Sequence, residues 1–138
     1  MTSMKQKQLV LVLILCLIGG GVWAQNDKQP VRRNVVVRQW KVKSGKQTRQ
    51  LDHQSTFDSL GRKVEEIEYA SYGQKERIVT EYEGNTKRIS REVVYDDKDK
   101  VRRIRKYEYN ANGTKKKQYN YKPDGKLSST KEYEYSYK

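Results

Sequence analysis

Two stretches, Tyr109-Asn110-Ala111-Asn112-Gly113 and Tyr121-Lys122-Pro123-Asp124-Gly125, decide how this chain is read. Each is an aromatic residue followed four positions later by glycine. Toward the N-terminus the pattern returns as Tyr95-Asp96-Asp97-Lys98-Asp99, a shortened Tyr82-Glu83-Gly84-Asn85, Tyr69-Ala70-Ser71-Tyr72-Gly73 and Phe57-Asp58-Ser59-Leu60-Gly61. From Phe57 to Tyr121 the aromatic starts lie 12, 13, 13, 14 and 12 residues apart. A unit this short holds one strand and one turn, so the spacing predicts a repeat of β-hairpin corners and excludes a helical solenoid. Asn112-Gly113 and Asp124-Gly125 offer the positive φ of tight hairpins, and Pro123 presets the backbone before Asp124. Asp99, in place of glycine, is one of the side chains that enter the left-handed region most readily.

Working outward, the runs between corners predict strands over residues 62–69, 75–82, 86–95, 100–109, 114–121 and 126–137. A β-branched strand at 34–43 and a less patterned one leading into Phe57 precede them. The fold class is therefore all-β, an antiparallel meander of about eight strands, single-layer or curled. Alternation within strands places Ile78, Thr80 and Tyr82, then Val93 and Tyr95, then Arg103, Arg105, Tyr107 and Tyr109, then Lys117, Tyr119 and Tyr121 on one tyrosine-rich face. Mostly Glu, Lys, Arg and Asn fall on the other. Strands end in tyrosine, and the next begins just past the turn with Lys, Arg or Thr. Each ring is thus expected to meet a basic side chain across its own turn.

Residues 1–24 carry the pattern of an export signal: Lys5 and Lys7, an apolar run from Leu9 to Ile18, and Val22-Trp23-Ala24 as a small-residue cleavage site. The run is short for a membrane span. Leu15 precedes Cys16 where a lipoprotein signal wants a small residue, so lipidation is disfavoured. Cleavage after Ala24 leaves 114 residues without cysteine, a flexible leader over 25–33 and a β-repeat domain over 34–138. The expected location is secreted, periplasmic or at the cell surface, with no transmembrane span after cleavage. A chain of this size without disulfides fits a bacterial envelope better than a small eukaryotic secreted domain.

The mature part holds 28 basic and 17 acidic residues, a net charge of +11. Such a field favours polyanionic partners. Alternating Lys, Arg and Glu also keep a repetitive sheet soluble and its edges unpaired. Only 19 of the 114 residues are Val, Ile, Leu, Phe or Trp, while 11 tyrosines add amphipathic surface. Either one layer covers itself with tyrosine rings and aliphatic stems, or the sheet curls around a slim core.

The corners resemble the tyrosine–aspartate repeats of the Rhs family, whose unit runs aromatic-Asp-x-x-Gly-Arg-Leu/Val. Phe57-Asp58-Ser59-Leu60-Gly61-Arg62-Lys63-Val64 is nearest, and Tyr95-Asp96 with Lys100-Val101, and Tyr121 with Asp124-Gly125-Lys126-Leu127, are degenerate copies. The resemblance implies non-catalytic β-hairpin modules. Asp follows the aromatic in only two of six copies, and six repeats are too few for a closed shell. In composition the chain is also similar to small exported proteins of gut Bacteroidetes. Neither resemblance supplies a ligand.

The catalytic patterns are weak. Asp52-His53-Gln54-Ser55 holds the single histidine, but His53 and Ser55 on a strand sit about 7 Å apart, too far for a nucleophile–base bond, and Asp52 points to the opposite face. One histidine without a mature cysteine does not make a zinc site. Asp96-Asp97-Lys98-Asp99 lacks the glycine and terminal Glu of a calcium loop and reads as a turn. Glu65, Glu66 and Glu68 are expected to pair with cross-strand cations. No catalytic residue, metal or cofactor is assigned. The candidate polyanion-binding residues are Arg103, Arg105, Lys115, Lys117, Tyr107, Tyr109, Tyr119 and Tyr121, where rings can stack on sugars while cations meet phosphate, sulfate or carboxylate.

The function expected is an exported, non-catalytic binding or structural module, with an anionic glycan, lipopolysaccharide or a protein at an exposed sheet edge as partner. A cationic secreted effector acting on membranes is the rival, and it needs an apolar face that Arg and Lys interrupt here. An enzyme ranks third. The export signal disfavours nucleic acid.

Overall fold

β-branched and aromatic residues alternate with charged ones in runs of six to ten, and each run forms a strand. The computed structural model describes residues 31–138, so the signal and most of the leader lie outside the described residues. The strands are β1 (Val35–Val42), β2 (Arg49–Phe57), β3 (Lys63–Ala70), β4 (Gly73–Tyr82), β5 (Ile89–Tyr95), β6 (Val101–Tyr109), β7 (Lys115–Tyr121) and β8 (Leu127–Glu132). They form one antiparallel sheet in sequence order, a meander that is not closed into a barrel, with β1 and β8 as its edges.

One corner recurs. Gly61 N–H donates to Asp58 O and Asp58 N–H to Arg62 O. The same two bonds join Asp99, Asp96 and Lys100, then Gly113, Asn110 and Thr114, then Gly125, Lys122 and Lys126. The fourth residue has φ of +76°, +62°, +87° and +85° in turn. This is a three-residue hairpin loop whose left-handed residue leads into a bulge. Asp99 adopts that conformation without being glycine. The Asp58 and Asp96 carboxylates brace the loop, each accepting from two backbone N–H groups: Leu60 and Arg62, and Lys98 and Lys100.

The bulge resets the register at the aromatic. Thr56 pairs with Glu65 but Phe57 with Lys63, Val94 with Arg103 but Tyr95 with Val101, and Glu108 with Lys117 but Tyr109 with Lys115. Paired residues share a face. The front face therefore carries Ser55, Glu66, Ile78, Val94 and Arg103 in one row, and the back face Thr56, Glu65, Val79, Val93, Ile104 and Tyr121 in another. By the same pairing Phe57, Tyr82 and Tyr109 lie on the front at one end of the sheet, and Tyr69, Tyr95 and Tyr121 on the back at the other.

This corrects the single tyrosine-rich face expected from alternation. Tyr107 pairs with Gln118, and Lys106 with Tyr119, so Tyr107 and Tyr119 are on opposite faces. Alternation fixes faces within a strand. The offset between strands is set by loop length plus the bulge residue.

The rings do meet cations: Lys115 meets the Tyr107 ring across their own turn, as expected, and Arg49 the Trp40 ring, but for the aromatics at the strand ends the cation comes from the preceding strand or its approach. Arg62 sits over Tyr82 at 4.7 Å, Arg77 over Tyr95 at 4.0 Å, Arg88 over Tyr109 at 5.9 Å and Lys106 over Tyr121 at 5.5 Å. The residue after the turn is held by the corner itself, as Arg62 Nε is by Asp58 Oδ2 at 2.8 Å. Arg62 Nη1 reaches on to Gly84 O and Thr86 O, tying one corner to the next on that end of the sheet.

A second lacing runs along the front. Tyr82 Oη donates to Lys63 O, Tyr109 Oη to Ile89 O and Tyr135 Oη to Lys115 O, at 2.7–2.8 Å. The three acceptors are spaced by 26 residues, and each is the first residue of its strand. The true structural period is thus a hairpin, twice the sequence repeat.

Apolar burial is confined to Ile67, Val93 and Val94 among the described hydrophobic residues, with Val94 fully buried. Val93 and Val94 point to opposite faces, so one layer is covered on both sides by long stems and rings. Val31–Arg33, read as flexible leader, instead lie at the first corner: Arg32 is 5.6 Å from the Phe57 ring, and Asn34 N–H donates to Asp58 O.

Removing the Tyr109 hydroxyl (Tyr109→Phe) is expected to cost about 1 kcal/mol in urea unfolding, and Val94→Ala about 2 kcal/mol. Tyr72→Phe, at an exposed two-residue turn, should leave the midpoint unchanged.

Candidate anion-binding site

Charge is unevenly spread along the meander. Residues 49–95, covering β2 to β5, hold eight Lys or Arg and nine Asp or Glu, whereas residues 101–132, covering β6 to β8, hold ten and three. The carboxylates of the first block are mostly matched: Glu65 with Arg77, Glu66 with Lys63, Glu68 with Lys75 and Glu81 with Arg91. The second block carries a surplus of seven cations.

On the front face that surplus gathers in a cleft of about 390 Å³, lined among others by Arg102, Arg103, Arg105, Gln118, Asn120 and Lys131. The register explains the gathering. Arg105 pairs with Asn120 and Asn120 with Ser129, while Gln118 pairs with Lys131. The β6 bulge brings consecutive Arg102 and Arg103 to the same side, where Arg102 Nη1 reaches the front-face Glu76 at 3.5 Å.

Arg105 is anchored by Glu92, whose Oε2 accepts from Arg105 Nη1 at 3.3 Å and from Tyr107 Oη at 2.5 Å. Burial, and then that carboxylate, push the Tyr107 phenol far above its ordinary pKa. The floor amides are fixed too: Gln118 Nε2 donates to Asn120 Oδ1, Asn120 Nδ2 to Ser129 Oγ and Tyr133 Oη to Gln118 Oε1. Arg103 Nε and Arg105 Nε are buried without an acceptor.

The eight residues proposed from sequence separate. Arg103 and Arg105 line the cleft, and Tyr121, although paired in a back-face row, borders it as well. Tyr107 and Tyr109 share their face, and the β7 bulge carries Lys115 there as well, its Nζ 4.3 Å from the Tyr107 ring. Lys117, Tyr119 and Tyr121 belong to the back-face rows. Lys117 is paired with Glu132 at 3.3 Å, which raises its pKa, and Tyr119 donates to Glu108. The continuous stripe is thus split between faces. Lys131, Gln118, Asn120 and Ser129 were missed, because only the bulged register reveals them opposite Arg105 and Tyr107.

The histidine reading also changes. Gln39 pairs with His53 but Trp40 with Leu51, so Asp52 is a bulge residue and not the opposite-face neighbour expected. Its Oδ2 lies 2.8 Å from His53 Nδ1 and its Oδ1 2.7 Å from Lys41 Nζ, and both contacts lower the Asp52 pKa. Asp96 to Asp99 form a turn, with Asp99 pairing Arg77 at 2.9 Å.

No protein family and no curated protein matches this sequence. Among solved structures, a mutant of S. aureus TarM in complex with Fondaparinux, alpha-GlcNAc-glycerol and UDP aligns at 13% identity and a TM-score of 0.28. The alignment covers 69% of this chain and 19% of that one. That TM-score is too low to indicate a shared fold, and nothing passes from that protein to this chain.

The corner carboxylates set an acid limit. Backbone N–H bonds from Arg62 and from Lys100 lead in holding Asp58 and Asp96 below their ordinary pKa, and the Arg77 guanidinium does so for Asp99. Depressed folded-state values contribute stability that is present above the unfolded pKa and lost as pH falls through the folded one. The urea midpoint is expected to hold across neutral pH and fall below about pH 4. Asp96→Asn, which keeps the acceptor used by Asn112 elsewhere, should flatten part of that fall with little change at pH 7.

Proposed function

We propose that the protein is an exported, non-catalytic β-repeat module of the cell envelope or exterior that binds an anionic polymer, an acidic glycan or lipopolysaccharide, on its sheet. The observation that carries this reading is the segregation of charge: a near-neutral ion-paired block over β2 to β5 beside a block over β6 to β8 with a net surplus of seven cations. A pattern serving only solubility would intersperse the two signs evenly along the sheet. The pattern of residues 1–24 supports export, and the fixed amides and hydroxyls between the cations favour a polar saccharide over lipid. The first edge is also basic, with six cations and no acid over residues 31–48, and serves to keep that edge unpaired.

Retention on immobilised heparin separates the two basic regions. The triple variant Arg103→Gln, Arg105→Gln, Lys131→Gln is expected to elute at clearly lower salt than wild type. Lys41→Gln, Lys43→Gln, Lys46→Gln, with equal charge loss, should elute close to wild type. Equal displacement of both variants would reduce the interaction to net charge.

A further inference from the structure

The cleft has a finer structure than a basic patch. Five cations line it: Arg102, Arg103 and Arg105 on the β6 wall, Lys131 on the β8 wall and Lys122 just past β7. Residues two apart on a strand lie about 7 Å apart, and strands β6 and β8 flank β7 with about 10 Å between them. The trough is therefore wide enough for one sugar ring with a charged substituent. Its floor is Gln118 and Asn120 of β7, with Ser128 and Ser129 at the β8 wall.

Three features select among anions. The first is unmet donor capacity. Arg103 Nε and Arg105 Nε have no acceptor, and among the described residues no carboxylate lies within ion-pair distance of Arg103 or Lys131. Those two atoms are closed to solvent, so the capacity left for a partner from outside is that of Arg103 and Lys131, whose charge no carboxylate answers. The second is their number and placement. Cations approach from both walls, Arg103 and Arg105 from one and Lys131 from the other, with Lys122 beside them, which suits an oxyanion with several free oxygens. A planar carboxylate is satisfied in bidentate fashion by one guanidinium. The third is the floor. Its side-chain amides and hydroxyls are tied into one network, Tyr133 to Gln118 to Asn120 to Ser129, so they stand fixed before a ligand arrives. Fixed amides and hydroxyls match sugar hydroxyls, whereas bases would need stacking rings on the floor.

Resting on the anionic-polymer reading above, we infer that the front-face cleft of β6 to β8 is a subsite for a sulfate or phosphate ester carried on a sugar. Arg103, Arg105 and Lys131 hold the ester oxygens. Asn120 and Ser129 hold the sugar hydroxyls beside it. Tyr107, through Glu92, keeps Arg105 in place and is a positioning residue.

The test is calorimetric titration of the protein at physiological salt with four probes: a sulfated heparin tetrasaccharide, its desulfated counterpart that keeps the carboxylates, a mannose-6-phosphate oligosaccharide and inorganic sulfate. The sulfated or the phosphorylated saccharide should bind, the tighter of the two naming the source of the ester, and the desulfated one should bind at least about tenfold more weakly. Arg103→Gln with Lys131→Gln should weaken binding about tenfold or more. Ser129→Trp, which fills the trough at an exposed edge-strand position without altering charge, should do the same with an unchanged unfolding midpoint. Lys41→Gln with Lys43→Gln should bind as wild type. Equal binding of the desulfated probe, or of inorganic sulfate alone, would overturn the ester-on-sugar assignment. If the sulfated saccharide binds but neither cleft variant weakens it, the subsite is wrong while the polymer reading stands. If no saccharide binds at physiological salt, both fall.

Discussion

The structure depends on the left-handed residue at each hairpin corner and the bulge it forces. A loop of three residues ending in positive φ closes the hairpin with the right twist and adds one residue to the outgoing strand. That extra residue lets the aromatic at the end of one strand sit opposite the first residue of the next. Where the aromatic is Tyr82, Tyr109 or the later Tyr135, its hydroxyl reaches the first carbonyl of the strand before it. At Tyr109 the corner and the lacing come from one piece of sequence, aromatic-x-x-x-Gly, whereas Tyr82 precedes a shortened corner and Tyr135 lies beyond β8. A sheet with three buried aliphatic side chains is held by this repetition, because each corner bond, cation–ring pair and tyrosine clamp is modest by itself and recurs along the meander, the clamp once per hairpin.

The same bulge determines what the surface offers. It turns successive corner aromatics to opposite faces at opposite ends of the sheet, so no uninterrupted tyrosine face exists. It also lets neighbouring cations share a face, as Arg102 and Arg103 do. The carboxylates stay in the middle of the sheet, where they brace corners and answer Arg77, Lys75 and Lys63. Toward β8 they thin out, and Arg103 and Lys131, which no carboxylate answers, line the cleft beside Gln118, Asn120 and Ser129.

Much of the fold was legible because its signals are local. Asn112-Gly113 and Asp124-Gly125 announce their turns, Asp99 announces a tolerated substitute, and the 12–14-residue spacing gives eight strands in order. What was not legible is the offset between strands. From Tyr107 and Tyr119 alone nothing shows that they face apart, since that follows from the Lys115–Lys116 bulge and the hydrogen bonds of Asn110 to Thr114. The site suffered the same loss. Arg103 and Arg105 were picked out by charge and sit in the cleft, whereas Lys117 was picked out by the same signal and is paired with Glu132 on the other face. Lys131 and Asn120 carry no distinguishing motif, and only pairing brings them in. Reading the corner as a bulged loop from Gly113 and Gly125 would have supplied that register.

In the proposed reading, corner bulges concentrate binding capacity on one face of β6 to β8 instead of spreading it over a basic sheet. Hydrogen–deuterium exchange with and without a sulfated polymer at physiological salt tests it most directly. Slowed exchange should be confined to residues 101–132, with residues 49–95 and the basic first edge at 31–48 unaffected. Equal slowing at 31–48 and 101–132 would contradict it, leaving the charge of the chain, and not its register, as the determinant of binding.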